Sequence, residues 1–139
     1  MDRVPGRFAR AVDERALQRA VRRRAGLDGR AADRALRAVL REVAGGPTIG
    51  EAFDLAELLP GPLARECRLG ALAGGPVRFS PRALVQAVAE RERVTPEEAT
   101  RHVTAVLTAL REQLPDGRFD YLGELAARLA GPPEAAPAV

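Results

Sequence analysis

No lysine and no tryptophan occurs in the 139 residues, and cysteine, tyrosine and histidine occur once each. A lone Cys67 excludes an intramolecular disulfide and any multi-cysteine metal site. In a helical segment it reads as a small buried hydrophobe. His102 is the one histidine, too few for a metal centre, so neither a metal nor another cofactor is expected. Aromatic residues make up 4% of the chain, which leaves Leu, Val and Ala to build the core and favours packed helices over a sheet. No apolar run approaches the ~18 residues a membrane span needs. Residues 1–15 carry charges of both signs without the apolar stretch of a secretory signal, so a cytoplasmic protein is expected. Enzyme signatures are missing too: Gly45-Gly46 and Gly74-Gly75 run into proline and lack the lysine of a phosphate-cradling loop. No Cys–His spacing or strand–turn–Ser–helix pattern suggests a nucleophile.

What the chain does have is a repeat. A shift of 67 carries Ala16, Leu17, Ala20 and Val21 onto Ala83, Leu84, Ala87 and Val88. The same shift places Arg24, Ala32, Arg34, Ala38, Val39 and Leu40 on Arg91, Ala99, Arg101, Ala105, Val106 and Leu107, and Leu55, Glu57 and Leu58 on Leu122, Glu124 and Leu125, without a gap. Each copy should fold into the same supersecondary unit. At 46% hydrophobic residues the length suits one helical domain over residues 1–130, with repeats at about 7–72 and 80–130.

Apolar spacing predicts about seven helices. The first spans residues 7–24 and stops at Ala25-Gly26, where glycine supplies a left-handed C-terminus. Asp28 caps a second, residues 29–44, carrying Leu36, Val39, Leu40 and Val43 on one side. Thr48 with Glu51 forms a capping-box pattern that opens a short helix through Leu58, and another runs over residues 63–72. Residues 73–79 read as a hinge. Ser80-Pro81 opens the second half, and Thr95, Pro96 and Glu98 restate the N-terminal signal in full before Val103, Val106, Leu107 and Leu110. A last helix holds Phe119, Leu122, Leu125 and Leu129. The Pro/Ala tail, residues 131–139, should be disordered. The fold class is thus all-α, a compact bundle of two pseudo-symmetric repeats, each a helical hairpin plus a shorter helix. Its expected core is Leu17, Val21, Leu36, Val39, Leu40 and Val43 with Leu84, Val88, Val103, Val106, Leu107 and Leu110.

Leu84-x-x-Ala87-Val88-Ala89-x-Arg91, Val94-x-Pro96-Glu97-Glu98-Ala99-x-Arg101-His102 and Ala105-Val106-Leu107-x-x-Leu110-Arg111 resemble the bacterial family of domain of unknown function 2267. Residues 31–40 and 54–60 restate the pattern in the first half. The resemblance implies a small all-helical repeat protein without an assigned activity. Leu84-Val85-x-Ala87-Val88-Ala89-Glu90 with Val94-Thr95 and Phe119-Asp120-Tyr121-Leu122-Gly123 also resembles the helical hairpin of HU-type DNA-bending proteins. The chain beyond leaves no room for that family's β-arms, so the likeness is taken as one of hairpin packing.

Charge is distributed unevenly. Residues 1–73 hold 14 Arg against 10 acidic residues, and residues 74–139 hold 8 against 9. All 22 basic residues being Arg fits a GC-rich coding composition. The arginines at 30, 34, 37 and 41 fall within about 60° of one another on a helix, opposite Leu36 and Val39. The preceding helix adds Arg19 and Arg23. Arg30, Arg34, Arg37, Arg41, Arg19 and Arg23 are therefore the candidate partner-binding residues, either for a macromolecule, with a protein partner expected, or, as the alternative, for nucleic-acid phosphates. Opposed to this stands a solvated face partly neutralised by Asp33 and Glu42. His102 is expected at the surface or its boundary, with Glu98 four residues back. Arg24 and Arg91, equivalent in the repeat, are expected to hydrogen-bond carbonyls at helix ends.

Overall fold

A computed structural model describes residues 12–45, 49–73, 80–114, 117 and 119–130. Among them are seven helices and no strand: α1 (Glu14–Ala25), α2 (Gly29–Val43), α3 (Ile49–Glu57), α4 (Gly61–Ala73), α5 (Pro81–Glu92), α6 (Pro96–Gln113) and α7 (Asp120–Ala130). The expected all-α bundle is the observed one. Of the hinge expected at 73–79, Ala73 is the last residue of α4 and the rest lies outside the described residues, as do Thr48 of the expected capping box and the tail at 131–139.

Local chemistry sets the boundaries. Asp13, Asp28, Ser80 and Thr95 have extended backbones, and their side chains accept hydrogen bonds from the N–H groups of Arg15, Ala31, Ala83 and Glu98. Each bond satisfies a donor that the first helical turn leaves unpaired. At Thr95 the arrangement is reciprocal, because Glu98 Oε1 accepts from the Thr95 N–H at 3.0 Å. That bond, with a smaller contribution from the Thr95 hydroxyl, holds the Glu98 carboxyl below its usual range. The expected start of the first helix at residue 7 is partly corrected: Val12 and Asp13 precede α1, since Asp13 serves as its cap. Phe119 likewise lies before α7, in a left-handed conformation with φ 57°. Only 8% of its surface is exposed, so ring burial offsets the backbone cost of roughly 1–2 kcal/mol.

The 67-residue shift carries α1 onto α5 end to end and the first residue of α2 onto that of α6. It also superposes the left-handed caps Gly26 (φ 69°) and Arg93 (φ 60°). Beyond the hairpins the halves part: two helices follow α2 and one follows α6. It is α4, not α3, that packs on α2, while α7 packs on α6. The expected plan of one short helix per half therefore does not describe the first half.

The hairpins interleave. α1 packs on α6 and α2 on α5, with α2 and α6 touching between them. All twelve expected core residues are buried, in one cluster that also takes Leu55, Leu59, Leu63, Cys67 and Leu122. Burying each large side chain contributes about 1.5–3 kcal/mol. α4 joins α2 through Gly70, where an added Cβ would overlap the Arg41 carbonyl oxygen and lie 2.9 Å from its carbon. Without a side chain there, the two backbones come into contact. Two further ties span long stretches of chain: the Asp13 N–H donates to Gln113 Oε1 at 2.8 Å and the Val12 N–H to the Leu58 carbonyl at 3.2 Å.

Candidate functional site

The arginine face of α2 does not stand free along its length. Arg30 and Arg34 are exposed, whereas Arg37 and Arg41 are partly covered where α4 crosses. Arg41 Nη1 reaches Glu66 Oε1 on α4 at 2.7 Å, and Arg37 Nη1 lies 3.7 Å from the second oxygen of the same carboxylate. Arg37 Nε also donates to Asp33 Oδ2 at 2.8 Å, one turn back. That bond raises the affinity of its guanidinium for the proton. The fully solvated stripe that helical spacing suggests is thus, at Arg37 and Arg41, a pair of side chains fixed by a carboxylate from a neighbouring helix.

These residues form one wall of a cleft of about 300 Å³ lined by Arg34, Arg37, Arg41 and Glu66 on one side and by Arg91, Glu92 and Arg93 on the other. The second wall is the C-terminal end of α5, delivered by the packing of α5 on α2. Arg91 Nε donates to Glu42 Oε2 on α2 at 2.7 Å, so the expectation that Arg91 holds terminal carbonyls is corrected. Arg24, its repeat partner, pairs with Glu112 on α6. Both arginines are ties between the two halves. At 37–52% exposure for three of the four side chains, such pairs contribute roughly 0–1 kcal/mol each.

Behind Glu92 lies His102, which is 5% exposed and so is neither a surface nor a boundary residue. Its Nδ1 is 3.1 and 3.2 Å from the two Glu92 carboxylate oxygens. An ionised carboxylate only accepts, so Nδ1 carries the proton and donates. The partner expected four residues back, Glu98, is committed to Thr95 instead. With side-chain exposures of 7% and 4%, the pair is closed to solvent and anchors the end of α5 beside the cleft. Arg93 is placed there by a backbone conformation that residues with a Cβ seldom adopt.

Of the six candidate arginines, the structure gathers Arg34, Arg37 and Arg41 into the cleft. Arg19, Arg23 and Arg30 are exposed outside its lining. Among the described residues, Arg19, Arg23, Arg30, Arg34 and Arg93 have no ion-pair partner within 4 Å. Sequence reasoning missed Arg93 and Glu66. Arg93 has a signal in hindsight, since it stands where the repeat has Gly26; Glu66 has none, because the crossing of α4 over α2 is set by tertiary packing.

Other chemistry is sparse. Burial pushes the Cys67 thiol up to about 12, and its sulfur donates to the Ala52 carbonyl at 3.3 Å, which makes it an inert core group. Among the described residues no three His, Cys, Asp or Glu side chains gather where a metal ion would sit. No described helix is long and apolar enough to cross a membrane.

No curated protein and no solved structure matched the chain. Residues 14–131 match the family model described as uncharacterized conserved protein (DUF2267). That span opens at the first residue of α1 and runs just past α7, so the chain belongs to the DUF2267 family.

Proposed function

We propose that this is a cytoplasmic, non-enzymatic accessory protein that recognises an acidic segment of a protein partner at the cleft between α2, α4 and the end of α5. The observation that carries the reading is the lining: five arginines surround one partly exposed carboxylate, Glu66, while the carboxylate of Glu92 is turned onto His102. Glu66 holds Arg37 and Arg41 in place, so little side-chain entropy remains for them to lose on binding. Arg34 and Arg93 supply charge that, among the described residues, no carboxylate pairs with. Strained backbone concentrates at functional sites, and Arg93 keeps a left-handed conformation where the repeat uses glycine.

Mixed charge also favours a peptide over the alternative, nucleic-acid phosphates. A duplex presents a dense, uniform row of negative charge and is best met by an uncompensated basic track. A carboxylate inside the lining, Glu66, already held by Arg37 and Arg41, works against such a track and suits a segment in which acidic side chains are interspersed with donors.

Titration of the protein with a Glu-rich peptide and with duplex DNA, each at low and near-physiological salt, tests the reading. The expected result is saturable peptide binding that weakens in Arg34→Ala and in Arg93→Gly. The second variant is informative because glycine relaxes the backbone, so binding should fall while stability rises. DNA binding with a steep salt slope that shrinks in the same variants would transfer the site to phosphates. Binding of neither probe at low salt would refute both.

A further inference from the structure

The 67-residue shift relates not only helices but two clefts. It carries Arg34, Arg37, Ala38 and Arg41 of the arginine cleft onto Arg101, Thr104, Ala105 and Thr108, and in the reverse direction relates that cleft's Arg91 to Arg24. Those four and Arg24, with Thr100 and Leu129, line a second cleft of about 320 Å³. In the first cleft, long guanidinium side chains and Glu66 fill the space along the helix. In the second, threonines stand at two of the same positions and no carboxylate belongs to the lining. Thr104 and Thr108 are also shared with an adjoining cleft of about 560 Å³ between α6 and α7, so the two form a continuous groove along α6.

The lining has a definite chemistry. Thr100, Thr104 and Thr108 recur every fourth residue and so stand above one another on one face of α6. Threonine is a poor choice for a helix interior, since its branched side chain loses rotamer freedom there, and three on one face cost helix stability. The Thr100 hydroxyl turns back to donate to the Pro96 carbonyl at 2.9 Å, the usual local outlet for such a group. Among the described residues the Thr104 and Thr108 hydroxyls have no hydrogen-bond partner, so both are available to a ligand in the groove. Arg24, Arg101 and Arg111 border the groove against one carboxylate, Glu112, which pairs with Arg24. The wall contributed by α7 is apolar, formed by Ala126, Ala127 and Leu129.

We propose that this groove is a binding site for a small amphiphilic anion, a carboxylate or phosphate monoester with a short apolar chain. Its head sits among Arg24, Arg101 and the Thr104 and Thr108 hydroxyls, and its chain lies along the alanines and Leu129 of α7. The excess of guanidinium over carboxylate selects the negative head. The free hydroxyls complete its hydrogen bonding, and the apolar wall rewards the chain with about 0.8 kcal/mol per buried methylene. A peptide bound in the arginine cleft would leave this site open, so the two readings stand or fall separately.

Hexanoate, hexyl phosphate, hexanol and inorganic phosphate, titrated into the full chain while amide and methyl NMR signals are followed, test the site. Saturable shifts centred on Thr104 and Thr108 with hexanoate or hexyl phosphate, and markedly weaker ones with hexanol and inorganic phosphate, are expected. The two anionic probes distinguish a carboxylate from a phosphate head. Thr104→Val keeps the side-chain shape and removes the hydroxyl; it and Arg101→Ala should each weaken binding roughly tenfold, while Arg34→Ala leaves it unchanged. Thermal unfolding of the variants checks that the fold persists. No saturable shift with either anion up to about 10 mM, or binding indifferent to both substitutions, would overturn the proposal.

Discussion

Replacing Gly70 by alanine tests the packing of α4 on α2. The new methyl would overlap the Arg41 carbonyl oxygen, and its other near neighbours, the Arg41 carbonyl carbon and Cα at 2.9 and 3.1 Å, are backbone as well. No side-chain rotation relieves such a contact, so α4 must retreat from α2 by roughly 1 Å, a gap that forfeits a quarter to a half of the dispersion energy across the contact. Overpacking of this sort costs about 1–3 kcal/mol, and lost contact at Leu63, Cys67 and Ala71, all buried on α4, adds to it. Against this stands the helix propensity of alanine, worth about 1 kcal/mol over glycine. The net expectation is destabilisation by about 2 kcal/mol, read as a lower urea midpoint at unchanged slope. Gly123→Ala is the control. Its methyl would meet only the Arg111 side chain, which can swing aside, so the propensity gain should survive and the variant should be neutral or slightly more stable. Equal stability of the two variants would refute the argument that backbone contact, rather than glycine as such, fixes α4.

His102→Leu leaves the Glu92 carboxylate buried without its donor and should cost about 3 kcal/mol, the usual penalty for breaking a buried pair; a urea midpoint within error of the parent would contradict the pairing. Thr95→Ala should lower stability by about 1 kcal/mol through loss of the cap. In the same variant the Glu98 carboxyl, followed by NMR, should stay below its ordinary range, because the backbone N–H at position 95 that holds it there is kept. The sign follows from the direction of the shift. A carboxyl held below its unfolded value stabilises the fold above that value, and the contribution disappears as pH falls through the folded one. The parent should therefore lose more stability than Glu98→Gln, which has no carboxyl to titrate, on acidification through the carboxylate range, and parallel pH curves for these two would count against the capping box.

Much of the fold was readable from residue spacing. The caps Asp28, Ser80 and Thr95, the break at Gly26 and the twelve core positions follow from local hydrogen bonding and helical periodicity, which act over a few residues. Features decided over longer distances were not. The crossing of α4 depends on one glycine finding one carbonyl, and nothing near Gly70 announces Arg41. The same crossing turned Arg37 and Arg41 from a free basic face into partners of Glu66. His102 was misread because its partner, Glu92, lies on the preceding helix, ten residues back rather than one turn. Helical spacing put Arg34, Arg37 and Arg41 on one face, and the structure lines a cleft with these three but not with Arg30; spacing alone could not supply the opposing wall.

The interleaving of the hairpins also sets the order in which the chain can become stable. The apolar side of α1 is completed by α6 and that of α2 by α5, partners that arrive tens of residues later in synthesis. At about 5–20 residues per second, typical of a ribosome, several seconds separate the first hairpin from the two helices that complete its packing. Residues 1–73 carry 14 Arg against 10 acidic residues, so first halves emerging side by side repel one another. The charge imbalance between the halves thus bears on the emerging chain as well as on the folded surface.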